Sequence, residues 1–152
     1  GYQYWLQQDT LFANATLPLS ELIRYAYSSM LAGNLTRAEE ALEQRKLHFP
    51  GYDSTWVQAH AFYSYFTEEN ESAIAQYKSL VKLYPNQTDY LLRLADLHVR
   101  TNKTNKALDY LQEAIKKGFK GYYVLNYNPL WQEQRNNHRF KELIKEITPS
   151  NL

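Results

Sequence analysis

The chain carries four histidines, His48, His60, His98 and His138, and no cysteine, so imidazole and carboxylate are the groups from which a catalytic or metal site would have to be built. The histidines lie too far apart to make a local ligand cluster. No HExxH, no Gly-rich phosphate loop and no GxSxG elbow occurs. Glu39/Glu40 and Glu68/Glu69 resemble paired carboxylates, but adjacent residues on a helix point apart, which makes them a solvated face. The reading is therefore of a protein that is not an enzyme, with no catalytic residue, no metal and no cofactor. Without cysteine the redox compartment cannot be read. His60 and His98 fall on apolar helical faces, where a histidine either packs as a hydrogen-bonded core residue or, because its pKa lies near neutrality, senses pH.

Charge narrows the partners. The net charge is +1, which argues against direct nucleic-acid binding. Residues 1–75 hold 4 basic and 9 acidic side chains and residues 76–152 hold 13 and 7, so the halves carry −5 and +6. Such polarity either steers a charged partner or head-to-tail association, or is chance asymmetry on a solvated surface. No apolar run approaches the ~18 residues of a membrane span, and Gly1–Leu6 lacks the basic start and apolar stretch of a signal peptide, so no membrane insertion is expected. An opening without methionine fits either an excised piece of a longer chain or a trimmed tag. Five Asn-x-Ser/Thr triplets, at Asn14, Asn34, Asn70, Asn86 and Asn102, exceed the about 1.2 expected by chance. Asn34, Asn70 and Asn102 sit at expected turns, so turn and cap chemistry is preferred to glycosylation.

The elements that position these residues repeat. Ala38, Ala73 and Ala107 stand 35 and 34 residues apart in like surroundings, and Pro50 and Pro85 each follow 12 residues after the first two. Ahead of each alanine lies a helical stripe at i, i+3, i+4: Leu22/Tyr25/Ala26, Val57/His60/Ala61 and Leu91/Leu94/Ala95. Turns are expected at Gly33-Asn34, Glu69-Asn70 and Asn102-Lys103. Second helices carry Ala38/Leu42, Ala73/Tyr77 and Ala107/Leu111/Ala114 inward. Gly118 to Gly121 reads as a helix stop, Asn128-Pro129 as cap plus first helical residue, and Phe140, Leu143, Ile144 and Ile147 as the stripe of a last helix.

This pattern resembles the tetratricopeptide repeat (TPR) family over residues 19–121. His60 replaces the usual leucine, and Arg45 and Leu80 the usual alanine late in the second helix. The resemblance implies an all-α fold, a right-handed α-α superhelix of three helix-turn-helix units at about residues 18–53, 54–87 and 88–121. Capping helices follow over 122–152. Residues 1–17, rich in Tyr2, Tyr4, Trp5, Leu11 and Phe12, are expected to pack on the first unit or lie in its groove. Asn128-Pro129-Leu130-Trp131, with Arg135 and Arg139-Phe140, resembles the terminal segment of TPR regions in bacterial multidomain signalling proteins, including membrane-tethered winged-helix activators of the ToxR/CadC kind, cyclases and kinases. A tethered regulator of that kind would place the domain in the periplasm; otherwise it would be cytoplasmic.

In the family the inner helix of each unit presents fixed positions to a concave groove. By that register they are Ile23, Tyr27, Met30 and Leu31, then Gln58, Phe62, Tyr65 and Phe66, then Asp89, Leu92, Asp96, Val99 and Arg100. Ile23 and Tyr27 stand where a carboxylate clamp needs Lys and Asn, so the resemblance implies instead an apolar or amphipathic protein segment or peptide as partner. Tyr27, Met30, Gln58, Phe62, Tyr65, Phe66, Leu92, Asp96 and Arg100 are its expected contacts. Self-association as a homo-oligomer is the second reading, and an accessory part of an enzyme the third.

Overall fold

In a computed structural model the described residues are 19–48 and 54–150, and among them there is no strand. The expectations for residues 1–17, and for Pro50 as a helix stop, fall outside them. The helices are α1 (Leu19–Leu31), α2 (Leu35–His48), α3 (Ser54–Phe66), α4 (Asn70–Leu83), α5 (Thr88–Arg100), α6 (Thr104–Lys116), α7 (Tyr122–Tyr127) and α8 (His138–Ile147), with a 3₁₀ segment at Pro129–Asn136 between the last two. The chain divides into two compact units, residues 1–69 and 70–152.

The left-handed residues that end the first helices keep the repeat period. Gly33 (φ +76°), Glu68 (φ +60°) and Asn102 (φ +57°) lie 35 and 34 residues apart, and Gly118 (φ +102°) ends α6 in the same conformation. After each of them an amide reaches five residues back: Asn34 to Ser29 O (2.8 Å), Glu69 to Ser64 O (3.0 Å), Lys103 to His98 O (2.8 Å) and Phe119 to Ala114 O (3.0 Å). This is the Schellman arrangement, which satisfies carbonyls that the helix end would otherwise orphan. The second turn pivots on Glu68, one residue before the pair that the sequence singles out, because no glycine or asparagine stands there to signal it.

Small residues sit where helices close on one another. Ala26, Ala38 and Ala41 are fully buried in the first unit, Ala73, Ala95 and Ala107 in the second. Around Ala26 and Ala38, α1 and α2 pack with Tyr25, Met30 and Leu42, and Ala59 brings α3 to the same core. In the second unit α5 pairs with α6, α4 lies against α5, and α8 closes on α6. Its core runs from Leu108 and Leu111 through Leu125 and Trp131 to Phe140, Leu143 and Ile147. Asparagine caps organise this end. Asn128 Oδ1 accepts from Leu130 N–H (3.0 Å) with Pro129 opening the 3₁₀ turn, and Asn137 Oδ1 accepts from Phe140 N–H (3.1 Å) at the start of α8. Asn34 Oδ1 likewise accepts from Arg37 N–H (3.2 Å) at the start of α2.

Candidate functional site: an aromatic face on the first unit

Four of the first unit's expected contacts come together as an aromatic run. Tyr27 on α1 meets Phe62 on α3 with centroids 4.7 Å apart, Phe62 meets Phe66 edge-on at 4.9 Å, and Tyr65 lies 5.7 Å from Phe66. Helical spacing explains the set, since Phe62 and Phe66 are one turn apart on one face. Tyr27, Gln58, Phe62 and Phe66 are half-buried. Met30 and Tyr65, by contrast, are 1% and 7% exposed, so they form floor rather than contact surface. Phe62 and Phe66 pack on the core around Ala26 and Ala38, which fixes their rings on a rigid base. Tilted and edge-on pairs of this kind suit the ring quadrupoles and present ring edges and faces to a partner.

The second unit's expected contacts are arranged differently. Asp96 is buried, and its Oδ1 accepts the indole N–H of Trp131 at 2.7 Å. Trp131 is fully buried and stacks on Phe140 at 5.4 Å. Leu92 packs against that core, and Arg100 is half-buried. Asp96 and Leu92 are thus engaged by the C-terminal segment. The partner of Asp96 lies 35 residues away, beyond what helical register can foresee. Outside that core, Arg139 of α8 bonds both Asp109 (2.7 Å) and Gln112 (2.8 Å) on α6.

α5 and α6 together are the pair that carries the family likeness. Residues 89–117 match the tetratricopeptide repeat family model. The match begins and ends within a residue of that pair, so it falls on one complete helix-turn-helix unit. With the periodic left-handed turns and buried alanines, it supports a TPR domain, and the architecture is all-α of the TPR type. TPR repeats in general mediate protein–protein interaction and typically serve as non-catalytic modules. No curated protein matches the chain.

Both flagged histidines have their pKa lowered by their surroundings. His98 is 3% exposed, stacks in parallel on Tyr110 at 5.4 Å, and neither ring nitrogen has a hydrogen-bond partner. Burial, then the charges of Lys106, Lys78 and Lys103, push its pKa down. His60 stacks on Trp56 at 3.9 Å, and burial followed by Arg45 lowers its pKa too. Arg45, itself 1% exposed, is a buried cation on α2 at the position where the TPR resemblance puts an alanine. Among the described residues no group of three His, Asp or Glu could hold a metal, and no helix is long and apolar enough to cross a membrane.

Proposed function

We propose that the first unit binds an apolar or amphipathic protein segment across Tyr27, Gln58, Phe62 and Phe66, over the floor made by Met30 and Tyr65. The observation that carries this is the run of touching, half-buried rings from α1 to α3 on a packed base. Half-buried aromatics on a rigid base desolvate readily and cost little side-chain entropy on binding, which is why they dominate interface energetics. A helix laid in a groove, read through residues at i, i+3 and i+4, matches their spacing. On the second unit, taken by itself, Arg100 is the expected contact that stays partly exposed, since Leu92 packs on the C-terminal core and Asp96 holds Trp131. The setting we propose is a larger bacterial regulatory protein, supported by the resemblance of the Asn128-to-Phe140 segment to the ends of such TPR regions.

The test is selection of binders from a random-peptide display library against the full chain. Selected peptides are expected to space apolar residues helically, and Tyr27→Ser with Phe62→Gln should weaken them at least about tenfold with the helical circular dichroism unchanged. Peptides indifferent to both substitutions would remove this face from the reading.

One alternative has its own support. Residues 1–69 carry 4 basic and 8 acidic side chains and residues 70–152 carry 13 and 8, so the compact units are charged −4 and +5. Opposite charge on two units of one chain favours association between copies.

A further inference from the structure

The second unit carries an exposed aromatic patch that neither the helical core nor the aromatic face of the first unit uses. On α7, Tyr123, Val124 and Tyr127 are 54%, 59% and 70% exposed. Tyr123 and Tyr127 stand one turn apart with rings parallel at 6.1 Å, and Tyr122 meets Tyr123 edge-on at 5.3 Å. A single exposed leucine such as Leu31 or Leu83 is by itself ordinary, and Leu47 differs only in adjoining exposed glutamates; three large exposed side chains within one six-residue helix are a contiguous patch, and such patches mark contact surfaces. The approach to the patch is basic: Lys116, Lys117 and Lys120 all precede it within a few residues and are exposed. Lys117 is tied to Pro85 O (2.6 Å) and Glu113 (3.9 Å), whereas Lys116 and Lys120 have no ion pair among the described residues.

The first unit has the complementary face. On α2, Glu39, Glu40 and Glu43 are exposed, and one turn beyond Glu43 stands Leu47, 69% exposed. Glu39 to Leu47 spans about 12 Å and carries three exposed carboxylates and one exposed ammonium, Lys46, a net −2 ending at the apolar Leu47. Lysines beside tyrosines on one unit thus have a counterpart in glutamates beside a leucine on the other.

We infer that the α7 patch with Lys116 and Lys120 docks the α2 face of a second copy of this chain, head to tail. The inference rests on the self-association reading and is independent of the aromatic face between α1 and α3. Other occupants fit less well. An interfacial membrane helix needs a longer apolar face than six residues supply, and nucleic acid needs more cations than these three lysines. Tyrosine is well placed at such a contact, because its ring can cover Leu47 while its hydroxyl donates to a glutamate.

The experiment is sedimentation velocity of the full chain at a series of concentrations, in about 0.05 M and about 0.5 M salt. The expected result is concentration-dependent association that weakens with salt. Lys116→Glu with Lys120→Glu should weaken it at least about tenfold, as should Glu39→Lys, Glu40→Lys and Glu43→Lys together, while circular dichroism stays unchanged. Mixing the two variants in equal amounts should restore association, since each retains the face the other lacks and the reversed faces also match. Tyr123→Ser with Tyr127→Ser should abolish association in the chain of native charge. A chain that stays monomeric throughout would overturn both the docking and the self-association reading. Association that ignores these substitutions, or a mixture that fails to recover, would overturn the docking surface alone. Binding of the monomer to phosphatidylserine vesicles through the tyrosines would overturn it in favour of a membrane.

Discussion

Glu68 holds the left-handed conformation that its repeat counterparts give to glycine and asparagine, and a Cβ-bearing residue there costs about 1 kcal/mol or more. Glu68→Gly should therefore raise stability by about 0.5–1 kcal/mol, read as a higher urea midpoint at unchanged slope. Gly33→Ala should lower it by about 1 kcal/mol, although nothing lies within 4 Å of the added methyl, because the strain is in the backbone alone. Equal midpoints for both variants and the parent would show that these turns tolerate any residue. His98 makes a second residue-scale claim. Its imidazole is buried without a hydrogen-bond partner among Lys78, Lys103 and Lys106, so its folded pKa lies below the usual 6.5. Below that value the unfolded chain binds a proton that the folded chain resists, so stability is intact above about pH 6.5 and falls as the pH drops from there toward the folded pKa. His98→Phe keeps the stack on Tyr110 and removes two unsatisfied nitrogens. It should leave neutral-pH stability equal or higher and make the acid-side loss shallower by roughly one bound proton. An unaltered acid slope would assign the loss to other groups, His60 first among them.

Among the elements, the C-terminal segment is fixed to α5 by a buried polar contact, the Trp131 indole N–H on Asp96. Asp96→Ala would leave that N–H buried and unpaired, at a cost of about 1–3 kcal/mol, whereas Asp96→Asn keeps a carbonyl acceptor in place and should cost less. The near-ultraviolet signal of the buried indole, followed through urea titrations of both variants, checks the order; equal losses would mean the carboxylate acts through its charge, Arg93 at 4.0 Å included. This contact also marks the limit of what the chain reveals on its face. Ala26, Ala38, Ala95 and Ala107, the Gly33 turn, the Asn128-Pro129 cap and the Phe140-to-Ile147 stripe were legible, because each is dictated by local spacing or by one residue's backbone preference. The neighbourhood of Tyr27, Phe62 and Phe66 was legible through the positions that the TPR resemblance assigns to the inner helices. Hidden were the burial of Met30 and Tyr65 and the use of Asp96 by Trp131. Each of those depends on which distant segment covers a face, and spacing along the chain carries no record of it.

For the whole molecule, two compact units with unlike cores imply unlike local stabilities. In a stacked-repeat protein, stability is close to a sum over units and their neighbour contacts, so the units need not open together. The described core of the first unit sets four alanines, Ala26, Ala38, Ala41 and Ala59, among Tyr25, Met30 and Leu42, with Ile23, Leu35, Phe62, Tyr63 and Phe66 only partly buried against it. That of the second adds Leu108, Leu111, Leu125, Trp131, Phe140 and Leu143, side chains that each remove far more apolar area from water than an alanine. The second unit also has the Asp96–Trp131 bond and the pairing of Arg139 with Asp109 and Gln112. The first unit includes a buried arginine, a group costly to desolvate, and the strained turn at Glu68. Native-state hydrogen exchange should therefore show amides of α1 to α3 opening at lower free energy than those of α5, α6 and α8, by about 1 kcal/mol or more. Urea should separate the two in order, with circular dichroism lost in two stages while the Trp131 signal persists to the second. Glu68→Gly should raise protection in the first unit without moving the second, and Asp96→Ala should do the reverse in sign and place. Uniform protection across all the helices, with both substitutions shifting every amide alike, would show instead that the chain opens as one cooperative body, and the faces assigned to the separate units would then have to be read as parts of a single one.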